Sequence, residues 1–234
     1  MSNPHPTGGV FFTYFGGKYR AAPHYPKPRH ERIVEAFAGS AGYALRYPHR
    51  EVILCEANKT IAAIWRWLIR VDEAEILALP ERPDTLTGAA KNFVGMWMNK
   101  GMTGPCWTPS SWLRKGIRPD SSWGPTLRSR IAARLRHIRH WKVLDDYRDA
   151  ANVPSTWFVD PPYSGRLGKR YPTHDIDYAS LAAWCRSREG QVIVCENAGA
   201  NWLPFEEFRT IKGTEGRART GISHEVIWTK GSGE

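Results

Sequence analysis

Apolar positions in this chain come in short runs that stop on small or acidic residues, separated by stretches of helical periodicity. Ile33-Val34-Glu35-Ala36-Phe37-Ala38-Gly39 reads as a strand entering a turn of small residues. Ala41 to Tyr47 can form a short helix, stopped by Pro48. Glu51 to Glu56, EVILCE, reads as a second strand, and Ala57-Asn58 as the entry to a helix. From Ile61 to Ile69 the spacing is helical, with Trp65 and Leu68 one turn beyond Ile61 and Ile64. Strand, helix, strand, helix in this order predicts a parallel sheet with helices on its faces.

Between about 71 and 125 the pattern breaks into short helical pieces and turns such as Thr103-Gly104-Pro105 and Trp123-Gly124-Pro125. A helix is expected from about Leu127 to Trp141. Leu127, Ile131, Leu135 and Ile138 share one face, and Arg128, Arg136 and Arg139 point away from it. Arg134 falls among the apolar positions, and the periodicity does not account for it. The strand pattern then resumes with Lys142 to Asp145 and Thr156 to Asp160. Ala179 to Arg186 is helical, and Gln191 to Cys195 is a buried strand. Phe208 to Ile211 and His224 to Thr229 form a closing pair of strands, joined through the turn-rich Gly213 to Gly216. The fold class is therefore α/β, a mostly parallel sheet interrupted by a mainly helical insertion.

The 234 residues suit one large domain or one domain with an insertion, with 41% hydrophobic and 24% charged residues. No apolar run approaches the roughly 18 residues that span a bilayer, so no membrane association is expected. The start, MSNPHPTGGVFF, lacks the pattern of a signal peptide. Cys55, Cys106, Cys185 and Cys195 are far apart, which argues against zinc or a disulfide framework and suits a cytoplasmic location. The net charge of +10 is unevenly placed. Gly101 to His140 holds eight bases and one acid, Asp120, a local excess of +7. Charge gathered in this way points to a polyanionic partner, foremost nucleic acid.

Three strand ends carry polar signals where open α/β sheets bind ligands. Phe37-Ala38-Gly39-Ser40-Ala41-Gly42 lets backbone approach a ligand. Glu56 stands 17 residues after Gly39, at a place where an acid can accept from ribose hydroxyls. Together they suggest an adenosine-containing cofactor; a tight turn and a helix-terminal charge are the plainer alternatives. The third end, Asp160-Pro161-Pro162-Tyr163, is a rigid peptide, because proline fixes φ and has no N–H to donate. It offers two acceptors and an aromatic face, which suit a planar ring bearing an amine; a stiff loop that merely closes the strand is the plainer alternative.

These residues resemble the DNA adenine methyltransferase family (Dam-like, in the group with the cofactor motif first and the catalytic motif last). Tyr14-Phe15-Gly16-Gly17-Lys18 resembles that family's N-terminal motif, Phe37-Ala38-Gly39 its cofactor turn, and Cys55-Glu56-Ala57-Asn58 its second strand end. Asp145-Asp146-Tyr147 resembles the acid–aromatic pair, and Asp160 to Tyr163 the catalytic motif. The five span about 11 to 229. The resemblance implies a Rossmann-like methyltransferase sheet, from 1–70 and 141–234, with a basic target-recognition insertion over 71–140. It implies S-adenosylmethionine as cofactor, touched by Tyr14, Gly17 and Lys18, lined by Phe37, Ala38, Gly39 and Ser40, and contacted by Glu56 and Ala57 at the ribose. Asp146 and Tyr147 would hold the adenine. Asp160 and Pro161 would accept the two hydrogens of the N6 amine of an adenine flipped from double-stranded DNA, with Pro162 stiffening the peptide and Tyr163 stacking on the base. One position departs from the family pattern FxGxG: Ala41 stands where the second glycine is usual, and the glycine is at Gly42. Alanine is costly there if the site requires φ > 0.

Arg114, Lys115, Arg128, Arg136 and Arg139 are the candidates for DNA contacts, with solvated surface charge as the alternative. Trp97, Trp107, Trp112 and Trp123 are expected mostly in the core, one of them free to stack where the base leaves. His137 and His140 suit solvent or phosphate rather than a metal. A monomer is expected, in a bacterial or phage-infected host cell. Other amino-group methyltransferases, acting on cytosine N4, RNA or protein, share such a site, and a DNA-binding module without catalysis is the alternative from another class.

Overall fold

The structure is a computed structural model and describes residues 9–116, 122–165, 168–213 and 221–231. Seven strands form one sheet: β1 (Arg32–Glu35), β2 (Glu51–Cys55), β3 (Lys142–Leu144), β4 (Ser155–Val159), β5 (Gly190–Asn197), β6 (Glu206–Gly213) and β7 (Gly221–Lys230). Their spatial order is β3-β2-β1-β4-β5-β7-β6. β1 to β5 run parallel, and β7 lies antiparallel between β5 and β6. The mixed α/β sheet reverses its winding between β1 and β4, the place where such sheets open a crevice at their carboxyl ends.

The strands read as unbroken apolar runs because both faces are covered. Ile33, Val52, Leu54, Phe158 and Ile193 face one core, with helices α1 (Lys59–Arg70), α3 (Gly88–Met98) and α5 (Pro125–Ala132). Their neighbours Val34, Ile53, Trp157, Val192 and Val194 face the other, with α6 (Tyr178–Ser187). The alternation is the period of two intrinsic to a strand. Segment 71–140 holds α2 (Glu73–Ala78), α3, α4 (Ser111–Arg114) and α5, and no strand among the described residues. Its buried Phe93, Met96, Trp97, Trp123 and Ile131 belong to the same apolar cluster as Ile33 and Leu54.

Two elements differ from the sequence expectation. The helix expected from Leu127 to Trp141 ends at Ala132, followed by a 3₁₀ turn at Leu135–His137. Arg134 supplies the reason. It is buried, its Nε donates to the Arg130 carbonyl at 2.8 Å, and its guanidinium reaches the Val10 carbonyl at 3.2 Å and covers the Phe11 ring. An inward-turned arginine of this kind fastens the N-terminal segment to α5, and the chain tightens around it. Leu127, Ile131, Leu135 and Ile138 are nevertheless all buried. The short helix expected over Ala41 to Tyr47 shrinks to a 3₁₀ turn at Ala44–Arg46. The turn expected at Gly213 to Gly216 lies, apart from Gly213, outside the described residues, as do Arg118 and Asp120. No helix among the described residues is long and apolar enough to cross a membrane.

The turn after β1 explains the displaced glycine. Ala41 has φ +52°, in the left-handed region, so the anticipated cost is incurred, about 1–2 kcal/mol for an L-residue. Position 42 needs glycine for another reason. A Cβ there would lie 2.5 Å from the backbone nitrogen of Tyr19 and 2.8 Å from the carbonyl carbon of Lys18. The N-terminal strap thus rests backbone on backbone against Gly42.

Ala41→Gly should change stability by less than about 1 kcal/mol, because relief of the left-handed strain is offset by a lost buried methyl and a more flexible unfolded chain. Gly42→Ala should cost about 3 kcal/mol, since backbone cannot swing aside as a side chain can. Urea unfolding of both variants checks this; equal costs would contradict the packing described here.

Candidate active site

Three of the predicted motifs leave the carboxyl ends of β1, β2 and β4 and meet at the sheet's reversal. The turn after β1 is held from below by Trp65 of α1, whose indole Nε1 donates to the Gly39 carbonyl at 2.8 Å. Phe11 and Phe12 pack against that tryptophan. Glu56 grips the turn from the side. One of its oxygens accepts from Gly39 N at 2.9 Å, the other from Asn58 N at 2.8 Å. The acid expected at the ribose therefore also builds the site. Burial pushes its carboxyl up, against the pull of those two amides.

The N-terminal strap closes the site from above. Trp97 Nε1 donates to the Phe11 carbonyl at 3.2 Å, Thr13 Oγ1 to the Met96 carbonyl at 3.2 Å, and Phe15 N to the Met102 carbonyl at 3.1 Å. These bonds tie the strap to α3 and its loop. Gly17 allows the contact: a Cβ would stand 2.7 Å from Ser40 Oγ. Gly39, at φ +47°, would bring one to 2.9 Å from the Tyr14 ring. The two glycine-bearing motifs, some twenty residues apart in the chain, are therefore one packed unit.

The strap delivers Lys18 to Asp160. The ammonium lies 2.7 and 2.8 Å from the two carboxylate oxygens and 4.8 Å from the centroid of the Tyr163 ring. It also lies 3.7 Å from Glu225 of β7. Burial pushes the Asp160 carboxyl up to about 6, and Lys18 only partly restrains it. Burial pulls the Lys18 ammonium down, but Asp160 and its neighbours more than compensate, and it stays charged. At neutral pH the two form an ion pair.

Pro161 and Pro162 hold the next carbonyls still. The Pro162 carbonyl accepts from Tyr178 Oη at 2.6 Å. The Pro161 carbonyl accepts no hydrogen bond among the described residues. With Tyr163, Asp160 and Lys18 it lines a pocket of about 140 Å³ that is closed by Tyr171, Asn197 and Glu225. On the other side of Asp160 lies a cleft lined by Tyr14, Gly17, Lys18, Phe37, Ala38, Gly39, Ser40 and Glu56. It adjoins a larger cleft of about 650 Å³, where Ala57, Asp146 and Tyr147 join Phe37 and Glu56. Every residue predicted for the catalytic and cofactor roles thus lines one of three adjoining spaces. In the largest, Tyr147 packs on Phe37 with centroids 5.1 Å apart, while Asp146 caps its own turn and pairs with Arg148.

The predicted DNA contacts separate into two groups. Arg114, Lys115, Arg136 and Arg139 are exposed, and Arg114 donates to the Pro109 carbonyl at 2.6 Å. Arg128 donates to the Leu79 carbonyl, and Arg139 to the carbonyls of Ile69 and Val71 at 2.8 and 2.6 Å. Those two arginines fasten the ends of α1 and α2, a fold role the sequence did not suggest. Trp97 and Trp123 are buried and Trp107 is exposed; the side chain of Trp112 lies outside the described residues. His140 Nε2 lies 2.9 Å from the Arg50 carbonyl.

Sequence reasoning missed Glu35, Tyr171, Glu196 and Glu225. Glu35 ends β1 and accepts from Ala44 N at 2.9 Å and, more weakly, from Tyr43 N. Glu196 accepts from Ser164 N, Asn197 N and Trp202 Nε1, which fixes the peptide after Tyr163. Glu225 accepts from Tyr163 Oη at 3.3 Å and Tyr25 Oη at 3.2 Å. A signal existed: Glu35 lies inside an apolar strand run, Glu196 ends one and Glu225 begins one, places where an uncompensated buried charge is costly.

No family model and no curated protein matches the chain. Two of the solved structures to which it is similar are a conserved hypothetical protein of Streptococcus pyogenes and a Haemophilus influenzae protein named "putative methylase HI0767". The first is 13% identical, over 93% of this chain and 95% of that one, with a TM-score of 0.38. The second is 11% identical, over 87% and 86%, with a TM-score of 0.34. Likeness at this level says nothing of what this chain does.

Glu35 generates a pH prediction. Burial pushes its carboxyl from the ordinary 4.5 up to about 8, only partly offset by the two amides. Between those values the native state keeps a proton that the unfolded chain has lost. Stability therefore falls as pH rises through this window, by up to about 1.4 kcal/mol per unit. Asp160 acts in the same sense at lower pH. Glu35→Gln should flatten the slope between pH 5 and 8 in urea unfolding, and a slope equal to that of wild type would refute the assignment.

Proposed function

We propose that the protein transfers a methyl group from S-adenosylmethionine to the N6 amine of an adenine flipped out of double-stranded DNA. The observation that carries this reading is the pairing of Asp160 with the unengaged Pro161 carbonyl, beside Tyr163, in a small pocket that abuts the acidic cleft. The cleft suits the cofactor chemically. Phe37 and Tyr147 offer flat apolar faces for an adenine, and Glu56 an acceptor for ribose hydroxyls. When bound there, S-adenosylmethionine would supply an electrophilic methyl group, its S–CH3 bond electrons staying on sulfur, which would leave as the neutral thioether.

The chain's own residues address the weakness of the nucleophile. An aryl amine delocalises its lone pair into the ring. Asp160 and the Pro161 carbonyl each accept one amine hydrogen, which draws the lone pair back onto nitrogen. Pro161 and Pro162 hold both acceptors rigid, so little reorganisation is needed as charge develops. Tyr163 stacks on the base and sets its plane. As the new C–N bond forms, nitrogen sheds a proton, which the Asp160 carboxylate accepts. Positioning and electrostatics supply the catalysis. The exposed Arg114, Lys115 and Arg136 would face the duplex phosphates.

The test is transfer of a radiolabelled methyl group to unmethylated double-stranded DNA, followed by digestion to nucleosides. Label in N6-methyldeoxyadenosine is expected. Label in N4-methyldeoxycytidine would change the base, and label only in RNA or protein would change the substrate. DNA binding without cofactor binding would favour a non-catalytic binding module. Asp160→Ala should abolish turnover and leave cofactor binding largely intact; retained activity would sink the mechanism. Because a protonated carboxyl accepts poorly, activity should fall with pH on an acid limb near 6, the value to which burial raises Asp160.

A further inference from the structure

Lys18 stands where the proposed substrate must go. Its ammonium is a nitrogen donor held by the Asp160 carboxylate and laid over the Tyr163 ring. That is the arrangement the target amine and its base would need. A base stacked about 3.5 Å above Tyr163 and an ammonium 4.8 Å from the same centroid cannot both use that face of the ring. A carboxylate engaged with an ammonium is also a weaker acceptor for a neutral amine. For the site to work, Lys18 must leave Asp160 without being left as a bare buried charge, which is costly.

Glu225 is the nearest acceptor on offer. Its Oε1 lies 3.7 Å from Lys18 Nζ, so a shift of about 1 Å makes a direct charge-assisted bond. The carboxylate is already fixed: it is buried, and the hydroxyls of Tyr163 and Tyr25 donate to its two oxygens. Through the first of these bonds the same residue orients the stacking ring. Its place on β7, opposite Asn197 of β5, aims it into the small pocket.

We propose that Glu225 is a positioning residue of this site: it takes Lys18 over from Asp160 when a substrate amine arrives, and so frees Asp160 to accept from that amine. The inference rests on the amine-methylating reading of the pocket. The handover moves no proton and breaks no covalent bond. Lys18 remains an ammonium throughout and exchanges one carboxylate for another. Bonded to Glu225, it no longer competes for Asp160.

Glu225→Gln separates this role from a merely structural one. The amide oxygen can still accept from the tyrosine hydroxyls, but it no longer offers a charge to Lys18. Expected are a thermal midpoint and a dissociation constant for S-adenosylmethionine close to those of wild type, with kcat/KM for DNA down about tenfold or more. Glu225→Asp should recover part of the loss. A Gln variant within twofold of wild type would overturn the proposal. A crystal structure of the Asp160→Ala variant gives an answer independent of activity: Lys18 Nζ should lie within hydrogen-bonding distance of Glu225. A lysine turned to solvent there would refute the handover. Should wild type methylate no DNA, RNA or protein, the proposed function fails, and that crystal structure still decides where Lys18 goes.

Discussion

The site depends on one close contact, the backbone of Lys18 and Tyr19 lying against Gly42. No side chain mediates it, and nothing larger than hydrogen fits between. From it follows the height at which the N-terminal strap crosses the sheet's carboxyl edge. That height sets Lys18 within 2.8 Å of both Asp160 oxygens and Tyr14 against Gly39. The strain of Ala41 at φ +52° belongs to the same bargain. The turn bends sharply enough to expose Gly42 to the strap, at about the cost of one left-handed alanine.

Around that contact the molecule spends its buried polar groups on holding small residues still. Trp65 and Glu56 bond Gly39 from two directions, and Glu35 bonds the two amides just beyond the turn. Glu196 does the same for Ser164 after the Asp160 to Tyr163 peptide. Each such acid is expensive to bury and is kept because donors meet it. Asp160 differs in its partner: it is met chiefly by the Lys18 ammonium and not by backbone amides. Strain and ionisable groups concentrate where the three adjoining spaces meet. In the rest of the sheet, apolar side chains alternate between two cores.

The arginine-rich stretch shows how composition and structure part company. The local excess of positive charge is real, but its members do different work. Arg134 pins the strap to α5, Arg128 and Arg139 fasten the ends of α1 and α2, Arg114 holds the Pro109 carbonyl from the surface, and Lys115 and Arg136 are exposed. Counting charges along the chain cannot separate these, because an arginine's long stem lets its head serve carbonyls several turns away.

Much of the fold was legible in the sequence. The strands ending in Gly39, Glu56 and Asp160 announced themselves by apolar runs that stop on polar residues, and their burial on both faces follows from that pattern. The chemistry of the Asp160 to Tyr163 peptide was also local, since two prolines determine its backbone and remove its donors. Three things required tertiary structure. The strand order set β1 beside β4, and so brought residues 37 to 42 against 160 to 163. The strap's packing chose glycine at 42 and not at 41. Strand β7, reaching the site from the chain's far end, placed Glu225 beside Lys18, 207 residues away. A pattern of period two or 3.6 tells which face a residue takes, but which face meets which is settled only when the whole core closes.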